Sequence, residues 1–184
     1  MDEEKGVSAT GHRTTRPATA PPGGGVRFLP IGAIHSPFQG TEGMPIQPAG
    51  ARDVSGTVEV MPEYERGLAD LAGFSHIILL YWFHLSQGYS LIVTPFLDDQ
   101  PRGLFATRAP RRPNPLGLSV VRLVGISGCR LEIQGVDVVD GTPLLDLKPF
   151  VPRFDAPAVE RIGWLAKGED GASEVRADGR FRVS

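Results

Sequence analysis

The chain has 184 residues, of which 41% are hydrophobic and 22% charged, and its formal net charge is −2. Those values describe one ordinary globular domain with a true core plus tails, and they exclude a chain too polar to fold. The near-neutral balance also excludes a nucleic-acid binder that works through global charge, so any nucleic acid must be met by a local patch.

Residues 1–25 are polar and rich in Thr, Pro and Gly, ending in Pro21-Pro-Gly-Gly-Gly25. Such a segment buries too little apolar surface to order itself, so a disordered extension is expected there. The domain proper is expected over 26–166. Residues 167–184 form a tail in which Phe181 and Val183 offer one short strand.

Within the domain the dominant period is two. Phe28, Ile31 and Ile34 give a first strand-like run interrupted by Pro30, and Val54, Gly56, Val58 and Val60 alternate with polar residues as in a half-buried strand. Pro62 opens the one expected helix, with Tyr64, Leu68 and Leu71 at helical spacing and Gly73 as its stop. Ile77 to Phe83 is apolar without alternation and predicts a strand buried on both faces. That run is far too short to span a bilayer, and the N-terminus carries acids where a signal peptide has an apolar centre, so the cytoplasm is the expected compartment.

Further strand-like runs follow at 90–96, 104–107, 118–126, 131–139 and 144–150, with a phase shift at Gly135 that suggests a bulge and an Asp140-Gly141 turn signal. Several strands with no βαβ rhythm predict a mainly β fold: a single barrel-type domain of mixed or antiparallel strands with one or two short helices.

The segment from Arg102 to Pro115 stands apart. Prolines at 110, 113 and 115 stiffen it, while Arg102, Arg108, Arg111, Arg112 and Asn114 supply donors that lose little entropy when a partner is bound. Two simpler readings compete: solvated arginines, and a Pro110-Arg-Arg-Pro113 ligand for a recognition domain. Apolar, strand-like flanks weigh against the second.

Dinucleotide, P-loop, serine-elbow and zinc-protease signatures are all missing from the sequence. The lone Cys129 excludes an intrachain disulfide and a cysteine-rich zinc site, and His12, His35, His76 and His84 lack metal-ligand spacing. What remains is a set of loops, each at a predicted strand end: Met44 to Gln47, His84 to Ser86, Arg108 to Pro115 and Asp137 to Pro143. If they share one rim, carboxylates for an amine or ribose hydroxyls meet guanidinium groups for a carboxylate, an inventory suited to an amino-acid-bearing nucleoside. Plain turn chemistry is the competing account of Asp137 and Asp140.

Five segments carry a resemblance: Pro30-Ile-Gly-Ala-Ile-His-Ser-Pro37, Leu71-Ala-Gly-Phe-Ser-His76, Gly103-Leu-Phe-Ala-Thr-Arg108, Arg112-Pro-Asn-Pro-Leu-Gly117 and Val139-Asp-Gly-Thr-Pro-Leu-Leu-Asp-Leu-Lys-Pro149. In order and combination, over 28–155, they resemble the TsaA-like family, also called YaeB-like or TrmO. The resemblance implies a β-barrel methyltransferase that uses S-adenosyl-L-methionine, works as a homodimer with the cofactor near the interface, and N6-methylates the threonylcarbamoyl-modified adenosine beside the tRNA anticodon. It implies cofactor contacts at Pro45, Ile46, Gln47, His84, Leu85, Arg108, Leu118, Asp137, Val138, Val139 and Asp140. Arg111, Arg112 and Asn114 are then expected to face the RNA or its threonyl carboxylate. No membrane, no metal and no identifiable general base enter this picture. Two alternatives stand beside it: a non-catalytic S-adenosylmethionine-binding regulatory module, and a methyltransferase for another substrate.

Overall fold

The stretches of period two become the wall of a barrel. In the computed structural model, which describes residues 25–45 and 48–167, the strands are β1 (Gly32–His35), β2 (Ser55–Val60), β3 (His76–Trp82), β4 (Ile92–Val93), β5 (Arg102–Gly103), β6 (Leu116–Ser127), β7 (Arg130–Gln134) and β8 (Thr142–Pro149). Six of them close in the order β1-β2-β7-β6-β3-β8, and β4 pairs with β5 apart from the barrel. Each pairing is antiparallel, which resolves the expected mixed or antiparallel sheet. Closure leaves the barrel no open edge.

Alternation decides what fills it. Ile34, Val58, Val60, Ile77, Leu79, Tyr81, Val121, Leu123, Leu131, Ile133 and Leu144 point inward and form one buried cluster. Each such side chain contributes about 1.5–3 kcal/mol when fully buried. The long β6 pairs with β3 through its first half and with β7 through its second, shifting register between Leu123 and Gly125. That irregularity bends the strand around the corner a small barrel requires.

Several expectations are corrected. Residues 62–73 form two 3-10 runs, Pro62–Leu68 and Leu71–Gly73, instead of one helix. Between them Asp70 adopts a left-handed φ of 64°, and with Gly67 inside the first run a stretch this short does not offset the cost of helix nucleation. Leu68 and Leu71 are buried, but Tyr64 is exposed, so the supposed stripe is not one face.

β3 is not buried on both sides. Ile77, Leu79 and Tyr81 point into the barrel, whereas Ile78 and Leu80 are only half-buried and Trp82 is exposed, because among the described residues no helix layer covers the outside here. At Gly135 there is a stop and not a bulge: β7 ends at Gln134, and a φ of 91° at Gly135 turns the chain away. The run at 90–96 keeps two strand residues, and 104–107 holds a 3-10 turn at Leu104–Ala106, since neither has a barrel neighbour to pair with. The first strand begins at Gly32, leaving Phe28 exposed.

The expected disordered extension, except for Gly25, and the expected tail beyond Lys167 lie outside the described residues. Among the described residues no helix is long and apolar enough to cross a membrane.

Candidate functional site

Because neighbouring strands are antiparallel, β1, β3 and β7 leave the barrel at the same rim where β2, β6 and β8 enter it. The registers show it: His35 sits opposite Thr57, Gln134 opposite Ser55, Trp82 opposite Leu116, and Ile34 opposite Thr142. The connections 36–54, 83–115 and 135–141 therefore emerge together. These are the loops that carry the candidate residues.

Two carboxylates three residues apart occupy the β7–β8 connection in contrasting settings. Asp140 accepts a hydrogen bond from the Ser36 backbone N–H at 3.2 Å and lies 3.0 Å from the His35 Nδ1. The Ser36 N–H and then His35 hold its carboxyl below the usual range. The loop itself is pinned by Ser36, whose hydroxyl donates to the Val138 carbonyl at 2.6 Å, and by the Asp140 N–H, which donates to the Phe38 carbonyl at 2.7 Å. Thr142 donates its hydroxyl to the Val139 carbonyl at 2.6 Å and closes the Asp-Gly turn, where Gly141 takes a φ of 73°.

Asp137 looks into the barrel instead. Ser119, an inward residue of β6, donates its hydroxyl to Asp137 Oδ1 at 2.6 Å, and the Tyr81 hydroxyl lies 3.0 Å from the Ser119 oxygen. Ser119 and Tyr81 are buried, Asp137 half-buried. Burial pushes the Asp137 carboxyl up to about 6, against the opposing pull of the Ser119 hydrogen bond and the Arg108 charge. Burial, then the Asp137 charge, raises the Tyr81 phenol well above its ordinary value. The chain of three polar groups exists because position 117 is glycine: a Cβ there would come within 2.1 Å of the Tyr81 ring.

The arginines of the 83–115 excursion divide into two kinds. Arg112 Nη1 donates to the carbonyl of Thr107 at 3.0 Å and to those of Leu104 and Ala109 at 3.4 Å, and its guanidinium stacks over Phe105. Arg111 Nε donates to the Gln87 carbonyl at 3.0 Å, tying the two ends of the excursion together. Arg102 pairs with Asp98 at 2.6 Å and lies over the Trp164 ring, whose indole N–H donates to the Ala106 carbonyl at 2.9 Å. Arg108 is exposed and, among the described residues, forms no salt bridge within 4 Å, although its charge acts on Asp137 and Tyr81.

The remaining candidates are dispersed. His84 is half-buried against the Trp82 ring, and Leu85 beyond it is exposed. Leu118 lies on the outer face of β6, directly across from Leu80 of β3 and opposite in sense to Ser119. Asn114 is exposed, its carbonyl accepting the Leu116 N–H at 2.8 Å. Pro45 is buried next to Met44, while Ile46 and Gln47 lie outside the described residues. Among the described residues no group of three His, Cys, Asp or Glu side chains is placed to hold a metal ion.

Sequence reasoning missed His35, Ser36, Tyr81 and Ser119. Ser119 did leave a signal, since it is a polar residue at an inward position of a strand whose other inward residues are apolar or glycine.

A family model for the tRNA-methyltransferase O N-terminal domain matches residues 33–156, from the second residue of β1 to just past β8. The chain belongs to that family. A protein of Pyrococcus abyssi described as a probable S-adenosyl-L-methionine-binding protein is 53% identical over 154 residues, covering 84% of each chain. The mouse tRNA (adenine(37)-N6)-methyltransferase is 33% identical over 135 residues, or 70% of this chain and 31% of that one. The crystal structure of TrmO from Pseudomonas aeruginosa superposes with a TM-score of 0.64 at 40% identity, over 76% of this chain. The chain spans 62% of that TrmO chain.

Proposed function

We propose that this protein is an S-adenosyl-L-methionine-dependent methyltransferase whose acceptor is N6 of the threonylcarbamoyl-modified adenosine next to the tRNA anticodon. The observation that carries the reading is the shared rim, where two carboxylates, a stiffened arginine loop and a guanidinium with no salt bridge among the described residues emerge within a family of methyltransferase domains. The donor set suits the cofactor: Asp140 accepts from ribose hydroxyls or an ammonium, and Arg108 meets a carboxylate. When bound, S-adenosyl-L-methionine supplies an activated methyl group. The chain's own task is to hold the acceptor in line and keep water out.

The apolar outer face of β3 and β6 supports a homodimer. Trp82, Leu116 and Leu118 are exposed there beside the half-buried Ile78, Leu80 and Val120. A contiguous apolar patch of this kind marks a contact surface. Leu118, which the family resemblance assigns to the cofactor site, lies on this face.

Arg111 and Arg112 serve RNA by stiffening the loop, and Arg108 is the cation left to meet an anionic group. Arg108→Ala then weakens the calorimetric affinity for S-adenosyl-L-methionine by about 10-fold or more, since the cofactor carboxylate loses its charged partner. The deciding experiment follows isotope from labelled methyl donor into tRNA that carries the modified adenosine. Calorimetry showing cofactor binding without transfer to that tRNA would replace the enzyme with a cofactor-binding regulatory module, and transfer to a different acceptor would replace the substrate.

A further inference from the structure

Asp137 has a setting unlike that of Asp140, the other carboxylate of the same connection. It is half-buried at the mouth of an apolar barrel, it accepts the Ser119 hydroxyl at 2.6 Å, and Ser119 is in turn 3.0 Å from the Tyr81 hydroxyl. Ser119 and Tyr81 are otherwise out of place, being a buried serine and a buried phenol among Ile34, Leu79, Val121 and Leu144. A polar chain in such a core is stable only when its members satisfy one another, and here they do. Gly117, with no Cβ to strike the Tyr81 ring, leaves the room the chain needs.

We infer that Asp137 is the proton acceptor of the methyl transfer, oriented by Ser119 and Tyr81, while Asp140 serves only to hold ligand. This rests on the methyltransferase reading above. The acceptor nitrogen carries a hydrogen that must leave. As the nitrogen lone pair forms the new N–C bond, the departing sulfur keeps the pair of the broken S–C bond, and the N–H proton passes to an Asp137 oxygen. One positive charge on sulfur and one negative charge on the carboxylate disappear together, so no co-reactant is needed.

The contrast within the loop supports the division of labour. Asp140 is held below the usual carboxylate range by the Ser36 N–H and His35, which makes it a poor base. Asp137 is pushed up to about 6 by burial, so it is ionised at neutral pH yet binds a proton more readily than an ordinary carboxylate. The groups that face it are Tyr81 from β3, Ser119 from β6 and Arg108 from the excursion. Ser119 and Tyr81 are positioning residues, since neither reaches the rim.

The test compares the full chain with Asp137→Asn and Ser119→Ala on tRNA carrying the modified adenosine. Asp137→Asn is expected to slow transfer by at least about 100-fold, a loss larger than any accompanying fall in the calorimetric affinity for S-adenosyl-L-methionine. Ser119→Ala removes a donor to the ionised carboxyl, so the acidic limb of its rate–pH profile should move to higher pH by about one unit. A second readout is independent of turnover: the component of the infrared carboxylic-acid band of the free protein that fades as pH rises through about 6 should be missing from Asp137→Asn. Full-rate transfer by Asp137→Asn, or a loss explained wholly by weakened cofactor binding, overturns the inference and leaves the functional reading intact. No transfer by the unsubstituted protein overturns both, even if the infrared band behaves as expected.

Discussion

The barrel wall and the 83–115 excursion are stabilised by different physics. In the wall, inward side chains such as Leu131, Ile133 and Leu144 are wholly buried, and backbone ladders satisfy every strand neighbour. In the excursion the apolar cluster is only Val93, Leu104 and Ala109, and the two-residue strands β4 and β5 make a single short pairing. Its shape depends on prolines and on guanidinium groups donating to carbonyls of Gln87, Leu104, Thr107 and Ala109. A change in the wall is therefore felt by the whole molecule, and a change in the excursion by the loop alone.

The largest effect should come from Leu131→Ala, which empties a fully buried position between β2 and β6. A loss of about 2–5 kcal/mol in chemical denaturation is expected. A smaller loss would mean that the wall relaxes as freely as a loop, and the contrast would fail. Gly117→Ala probes the same wall from the opposite direction, by adding atoms. Its Cβ would fall within 2.1–2.7 Å of three Tyr81 ring atoms, and that ring is tied through its hydroxyl to Ser119. The expected cost is about 1–3 kcal/mol, and it should shrink in Tyr81→Ala, where the obstructing ring is gone.

The same contrast explains what could be read from the sequence. The wall was legible because alternation is a local pattern: Val58 with Val60 and Leu131 with Ile133 declare an inward face without reference to any partner. β3 misled because an apolar residue facing outward and one facing inward look alike in sequence, and nothing in Ile77 to Trp82 says that no layer of the described residues covers the outer face. The strands expected at 90–96 and 104–107 failed for a related reason, since β propensity is realised only where a neighbour offers a ladder. In the candidate site, Asp137, Asp140 and Arg108 are singled out by residue type, strand-end position and family resemblance. Their partners Ser119, Tyr81 and His35 stand 18 to 105 residues away in hydrogen-bonded contacts that no local pattern reports.

Asp137 lies where wall and rim meet, and its substitution should stabilise the protein. Because its carboxyl is held at about 6 when folded, the native state keeps a proton that the unfolded chain releases between roughly pH 4 and 6. Its contribution to stability is greatest below that window and is lost as pH rises through about 6. Above the window the native state carries an ionised, half-buried carboxyl at a cost on the order of 3 kcal/mol. Asp137→Asn avoids this cost, so it should be more stable than the unsubstituted chain by about 1–3 kcal/mol at pH 8, with the gain fading toward pH 4. A constant difference across that range would show that the carboxyl titrates alike in both states.

The smallest global effect is expected from Arg112→Ala, even though Arg112 makes more contacts than any other arginine of the excursion. Its Nη1 bonds and its stacking on Phe105 all stay within residues 104–112. Loss of the side chain should change unfolding free energy by less than about 1 kcal/mol, since the freed carbonyls turn to water. Amide exchange should nevertheless quicken at Ala109, whose N–H donates to the Thr107 hydroxyl at 3.3 Å, and leave Leu79 and Leu131 in the wall unchanged. Protection lost evenly across loop and barrel would mean that the excursion and the wall unfold as one unit, which a loop held by its own carbonyls, its prolines and Trp164 gives no reason to expect.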